Sequence, residues 1–130
     1  MQDIRWKQRF ENFEKSFFLL QRISEIKQPS EAEFMGLIQS FEIAFELAWK
    51  TLKDFLNAQG HDVKSPRNTI KQAFQDGVVT NGHLWLEALE NRNLAAHLYD
   101  ETKIVDITDK ILHQYKELIE SLYQSLKTEL

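Results

Sequence analysis

The stretch "SEAEFMGLIQSFEIAFELAWKTLKDFLNAQG", residues 30–60, decides the fold class. Its first residue, Ser30, stands three places before Glu33, the spacing of a capping box. In that device a hydroxyl and a carboxylate satisfy two helix-start N–H groups reciprocally. Phe34, Leu37, Ile38, Phe41, Ala44, Phe45, Ala48, Trp49, Leu52, Phe55 and Leu56 follow three and four apart. That period draws one continuous apolar stripe along a helix. Gly60 sits where a helix of this length needs a residue of positive φ to end it. The stretch therefore predicts one long helix to about residue 59, apolar along one face and charged along the other.

The flanks repeat the pattern. In residues 3–27, Phe10, Phe13, Phe17 and Leu20 form a helical seam. Phe18, Leu19, Ile23 and Ile26 widen it, and Pro29 closes it, because the residue before proline disfavours helix. "HDVKSPRNTIKQAFQDG" (61–77) holds a short helix with Ser65 as cap, Pro66 in its first turn and Gly77 at its end. "VVTNG" makes a turn in which Thr80 or Asn81 caps a fourth helix over roughly residues 82–99. A last helix over about 102–127 carries Ile104, Ile111, Tyr115, Leu118, Leu122 and Leu126. Strand-like alternation appears nowhere beyond "VVT". The expectation is an all-α, up-and-down four-helix bundle with an additional short helix, residues 1–130 forming a single domain. The stripes are wider than one monomeric core requires, which points to a homodimer.

Composition narrows the function classes. The chain of 130 residues has no cysteine, which removes disulfides, thiolate metal ligands and a cysteine nucleophile. No run approaches the ~18 apolar residues of a membrane span. The opening "MQDIRWKQRF" is charged from the start and lacks the apolar centre of a signal peptide. A soluble, cytoplasmic protein is expected. The formal net charge of −4 argues against broad coating of nucleic acid, although a local pocket for one phosphate or a short RNA segment stays open. His61, His83 and His113 are scattered; His83 with Glu87 is a single i,i+4 pair and makes no convincing metal site. No metal and no cofactor are expected. There is no glycine-rich phosphate loop, no Ser–His–Asp set and no carboxylate pattern of a nucleotidyltransferase, so any nucleotide transfer falls to a partner.

One segment departs from plain amphipathic helix. In "ENRNLAAHLYDE" (90–101), Arg92, Asn93, His97 and Tyr99 crowd among leucines and alanines. At about 100° per residue, Arg92 and Tyr99 fall within about 20° of each other, Asn93 and His97 stack, and the four span roughly 160° of the helix. Trp85, Leu89 and Ala96 share that side, so the polar group is set in apolar surroundings. A packing reading pairs Arg92 with Glu87 or Glu90 and leaves His97 a satisfied core imidazole. A chemical reading is equally specific. Arginine offers a planar fork to a phosphate, and an imidazole moves protons near neutral pH. The RNA 2′-hydroxyl is an internal nucleophile that needs only a base and charge stabilisation at phosphorus. Asn93 could orient the imidazole or donate to a phosphate oxygen. Lys50 and Lys53, beside Trp49 on the long helix, are either a solvated edge or phosphate or partner contacts.

Arg92-Asn93-x-x-x-His97-x-Tyr99 resembles the Arg-x4-His-x-Tyr signature of HEPN proteins. "FEIAFELAWKTLKDFL" (41–56), "SPRNTIKQAF" (65–74), "LWLEALENRNLAAHLYDE" (84–101) and the tail are similar to one branch, the nucleotidyltransferase substrate-binding proteins. Leu98 departs from the threonine that related sequences often carry there. The resemblance implies a dimerising helical bundle encoded near a minimal nucleotidyltransferase, with which it forms a two-component system. It implies one of two roles. In the first, the chain is a metal-independent ribonuclease toxin, with Arg92 and His97 at the reaction and Asn93 beside them, neutralised by AMP addition at Tyr99. In the second, it is a non-catalytic subunit that binds nucleotide or another substrate for the transferase.

Overall fold

The computed structural model describes residues 2–92 and 100–130. Every regular element among them is helical: α1 (Gln2–Ser24), α2 (Glu31–Ala58), α3 (Pro66–Gln75), α4 (Gly82–Asn91), α5 (Glu101–Lys110), a π-helical turn (Ile111–Tyr115) and α6 (Lys116–Lys127). The expected bundle is present, its last helix being the continuous run α5–π–α6.

The local signals act largely as the sequence predicts. Ser30 Oγ accepts from the Glu33 N–H at 3.2 Å while Glu33 Oε1 accepts from the Ser30 N–H at 2.9 Å. Ser65 Oγ caps α3 through the Asn68 N–H, with Pro66 in the first turn. At the far end of α2, Gly60 takes φ +100°. The Gly60 N–H then reaches the Asn57 carbonyl and the His61 N–H the Leu56 carbonyl, the paired bonds of a Schellman ending. Gly77 ends α3 in the same way with φ +76°.

Three local features differ. Helix α1 stops at Ser24 and not near residue 27. Gln28 turns the chain through φ 51° so that Pro29 and Ser30 can enter the cap of α2. Asn81 precedes α4 in the left-handed conformation, which asparagine tolerates. Its backbone carbonyl accepts from Leu84 and Trp85, but its side chain caps nothing. The last helix is also not uniform. The Lys116 N–H bonds to the Ile111 carbonyl five residues back, which widens one turn.

Helices α1 and α2 share the broadest contact, and α6 packs against both. Arg9 Nε meets the buried Asp54 carboxylate at 2.6 Å, joining the start of α1 to the end of α2. Lys116 reaches Ser24 and Tyr123 reaches Glu14, so α6 runs antiparallel to α1. Trp6, Phe10, Phe13, Phe17, Phe41, Phe45, Trp85, Tyr115 and Tyr123 fill one continuous core. Trp85 lies 5.7 Å from Phe45, which seats α4 against the middle of α2. The chemistry-bearing end of α4 is thereby brought to the polar edge of α2.

Candidate functional site

Arg92 is the first residue beyond α4, still in helical conformation at φ −63°, ψ −26°. Asn93, His97 and Tyr99 lie outside the described residues, as does the expected extension of α4 to residue 99. The partners of Arg92 are not the ones a helical wheel offers. Its Nε lies 3.4 Å from Glu46 Oε1 on α2. Glu87 is instead taken by Tyr115 and Lys110, and Glu90 by Arg67 at 3.6 Å. The pairing of Arg92 with Glu87 or Glu90 is thus replaced by an ion pair between helices. A wheel of one helix cannot show a carboxylate that tertiary packing delivers from another.

Glu46 joins several of the polar groups. Its Oε2 accepts from the Trp49 indole N–H at 2.9 Å and lies 4.0 Å from Lys50 Nζ. Lys53 stands over the Trp49 ring, 5.9 Å from its centre. Lys50 and Lys53 therefore flank the Trp49–Glu46 pair, and Glu46 connects Lys50 to Arg92. Trp49 is only 8% exposed, so its ring is core and not an open stacking platform. Arg92 Nη1 is buried without a hydrogen-bond partner among the described residues. A buried donor of this kind is costly unless something accepts from it.

A second network fixes the helix end on its other side. The Tyr115 hydroxyl donates to Glu87 Oε2 at 2.7 Å and accepts from Asn91 Nδ2 at 2.8 Å. Lys110 Nζ completes it, 3.4 Å from Glu87 Oε1. The Tyr115 ring is fully buried and stacks on Phe41. Burial first, and the bond to Glu87 second, push the Tyr115 hydroxyl well above the ordinary tyrosine range. The same hydroxyl, and less strongly Lys110, hold the Glu87 carboxyl below its ordinary range. Asn91 is the residue before Arg92, so this network grips the chain where the motif begins. A polar cleft of about 240 Å³ opens beside it, lined by Asn91, Lys103, Asp106, Ile107 and Lys110.

Neither Glu46 nor Tyr115 was a site candidate on sequence grounds. Glu46 looks like an ordinary charged-face residue of α2, and Tyr115 like one more apolar-stripe position. Tyr115 closes a π-helical turn, a feature that recurs at functional sites and that only the structure reveals. His83 lines a small apolar cleft with Ile70, Phe74 and Leu86, while the Glu87 carboxylate is engaged elsewhere. Among the described residues no three groups of metal-ligating type cluster. No described helix is long and apolar enough to cross a membrane.

With this geometry in place, likeness to known proteins becomes decisive. A family model described as nucleotidyltransferase substrate binding protein like matches residues 8–128. The chain belongs to that family. It is the branch of HEPN proteins that residues 41–56, 65–74 and 84–101 resemble, alongside the HEPN spacing of Arg92, His97 and Tyr99. A Haemophilus influenzae protein described as probable ribonuclease HepT is 27% identical, over 75% of this chain and 74% of that protein. The crystal structure of a Thermus thermophilus protein superposes with a TM-score of 0.81 at 30% identity, covering 88% of this chain and 98% of the other. Family membership makes the chain a HEPN-type helical subunit.

Proposed function

We propose that this chain is the helical subunit of a two-component system with a minimal nucleotidyltransferase, and that it is a metal-independent ribonuclease of toxin type. Arg92 carries the reading. Its Nε is tethered to Glu46, its Nη1 is buried without a described partner, and the HEPN motif continues directly from it. A phosphodiester oxygen supplies the acceptor that such a donor lacks. In this scheme His97 takes the proton from an RNA 2′-hydroxyl and the 2′-oxygen attacks the adjacent phosphorus. Arg92 neutralises the charge that builds on the phosphoryl oxygens. The P–O5′ bond breaks and the 5′-oxygen takes a proton from solvent, to which His97 releases the one it gained, giving a cyclic phosphate and a 5′-hydroxyl. Asn93 orients the pair, and Lys50 and Lys53 guide the strand or the partner. The likeness to a probable ribonuclease supports this reading.

Regulation belongs to the same proposal. The partner transferase joins the Tyr99 hydroxyl to the α-phosphorus of ATP, with pyrophosphate leaving, so that AMP covers the motif. A homodimer brings two motifs together, and Leu19 and Ile43, 40% and 46% exposed on α1 and α2, are apolar groups available to a second copy. The second reading, a non-catalytic subunit that presents nucleotide or another substrate to the transferase, draws its support from the family description itself.

Expression without the transferase separates the two. A toxin arrests growth, and His97→Ala relieves the arrest while remaining folded. Normal growth, together with no RNA cleavage by protein of verified unmodified mass, rejects the ribonuclease and leaves the binding subunit. Incubation with transferase and ATP adds AMP mass to the native chain; if Tyr99→Phe gains it equally, the acceptor is another residue. Analytical ultracentrifugation decides the dimer.

A further inference from the structure

We propose that Glu46 is the positioning residue of the Arg92 phosphate site, presenting the guanidinium edge to a phosphodiester through its hold on Nε. The inference rests on the reading of Arg92 as a phosphate ligand. A guanidinium has two usable edges, one containing Nε and the other the two Nη groups. Glu46 Oε1 lies 3.4 Å from Nε as an ion pair, and the group left without a partner among the described residues is Nη1, on the opposite edge. The carboxylate thus lies at one edge, while the other edge carries the unpaired donor.

Glu46 is itself held. The Trp49 indole N–H donates to its Oε2, and Trp49 is buried in the core of α2, so the carboxylate is anchored to a rigid part of the bundle. Lys50, 4.0 Å away, adds a weak cationic tether. Arg92 stands beyond the last turn of α4, so its side chain is steered by what it touches more than by its own helix. The chain Trp49–Glu46–Arg92 converts the fixed position of a core indole into a fixed direction for a guanidinium.

Electrostatics gives the proposal a sign that a bystander would not share. Glu46 is an anion beside a phosphate site, and simple Coulomb reasoning predicts that its removal tightens anion binding. A positioning role predicts the reverse, because a freely rotating Arg92 must be ordered again by the ligand.

The test uses the full chain and an RNA hexanucleotide with 2′-O-methyl groups, which binds without being cleaved. Arg92→Ala is expected to weaken binding about tenfold or more, the size of a lost hydrogen bond to a charged group. Glu46→Gln and Glu46→Ala should each weaken it by roughly three- to tenfold while the melting temperature hardly moves, since a half-exposed ion pair stabilises a fold little. Without any ligand, the Arg92 Nε–H and Trp49 indole N–H resonances should both shift in Glu46→Gln, and the Trp49 signal should shift in Arg92→Ala. If Arg92→Ala binds like the native chain, or the native chain does not bind, the phosphate reading falls and this proposal with it. If Arg92→Ala loses binding while the Glu46 variants bind equally or tighter, only the positioning role is overturned. An unmoved Arg92 Nε–H signal in Glu46→Gln overturns it independently of RNA.

Discussion

Two buried tyrosines, Tyr115 and Tyr123, divide the molecule into a region that packs and a region that positions. Both rings are shut off from water, and both hydroxyls donate to a glutamate, Glu87 at 2.7 Å and Glu14 at 2.6 Å. Tyr123 lies among Phe10, Phe13, Phe17 and Phe18, and its hydroxyl ties α6 to α1. Tyr115 closes the π-helical turn, stacks on Phe41, and takes a second bond from Asn91, the residue before Arg92. The difference is in what stands behind the hydroxyl. At Tyr123 it is packing alone, and at Tyr115 it is the chain that leads into the HEPN motif.

The largest effect erases this contrast. Tyr115→Ala and Tyr123→Ala each remove a buried ring and should cost about 3–5 kcal/mol, the usual range for an aromatic truncated in a core. Denaturant unfolding should place the two together. A much smaller loss at Tyr115 would mean that the wide turn closes over the gap, so that the ring there is not core in the sense that Tyr123 is.

Removing only the hydroxyls restores the contrast. Tyr115→Phe deletes two hydrogen bonds and should cost about 1–2 kcal/mol; Tyr123→Phe deletes one and should cost about 0.5–1.5 kcal/mol. The Tyr115 figure is modest because Glu87 is 40% exposed and water takes over part of the lost bonding. The sharper measurement is binding of the 2′-O-methyl RNA. Tyr115→Phe should weaken it by loosening Asn91 and hence Arg92, whereas Tyr123→Phe should leave it unchanged. Equal effects from both would show that overall stability, and not the grip on α4, controls the site.

Sequence patterning reaches the first region far better than the second. Ser30, Glu33, Gly60, Ser65 and Gly77 act through hydrogen bonds within a few residues, so local spacing foretells them. The stripe Phe10, Phe13, Phe17 likewise needs only helical period to be recognised as core. Arg92 also stood out, as a cation among apolar neighbours. Its partner could not, because Glu46 lies on another helix and meets Arg92 only after α4 has docked through Trp85 and Phe45. Tyr115 was legible as a stripe residue and illegible as a hydrogen-bonding one. Its reach to Glu87 and Asn91 depends on how α5 and α6 are joined through the π-helical turn, a one-residue change of register that a 3.6-residue period does not resolve.

Acid and alkali probe the same pair from opposite sides. Glu87 titrates below its ordinary 4.5 in the fold, chiefly because of the Tyr115 hydroxyl. Its contribution to stability is therefore present above about pH 4.5 and is lost as pH falls through the lowered value. Tyr115→Phe should remove most of that acid dependence, so the stability gap between native and variant chains narrows in acid. Tyr123 is pushed up from 10.0 to about 12, by burial first and the Glu14 bond second. Its contribution is present below pH 10 and is lost as pH rises through about 12. Tyrosinate absorbance should lose its step near 12 in Tyr123→Phe and keep it in Tyr115→Phe.

The smallest effects fall on the two lysines that finish each region. Lys127 stands over the Tyr123 ring at 5.6 Å, and Lys110 pairs with Glu87 at 3.4 Å. Either truncation to alanine should cost only about 0.2–1 kcal/mol, since both contacts lie near solvent. Their coupling to the tyrosine hydroxyls should nevertheless differ. Lys110 and Tyr115 meet on one carboxylate, so the cost of Lys110→Ala should change in a Tyr115→Phe background. Lys127 touches the ring and not Glu14, so Lys127→Ala should add independently to Tyr123→Phe. Double-mutant cycles by denaturant unfolding measure both terms. A coupling of zero at Lys110 would reduce the Glu87 network to separate contacts, and the grip on Asn91 would then rest on the Tyr115 hydroxyl alone.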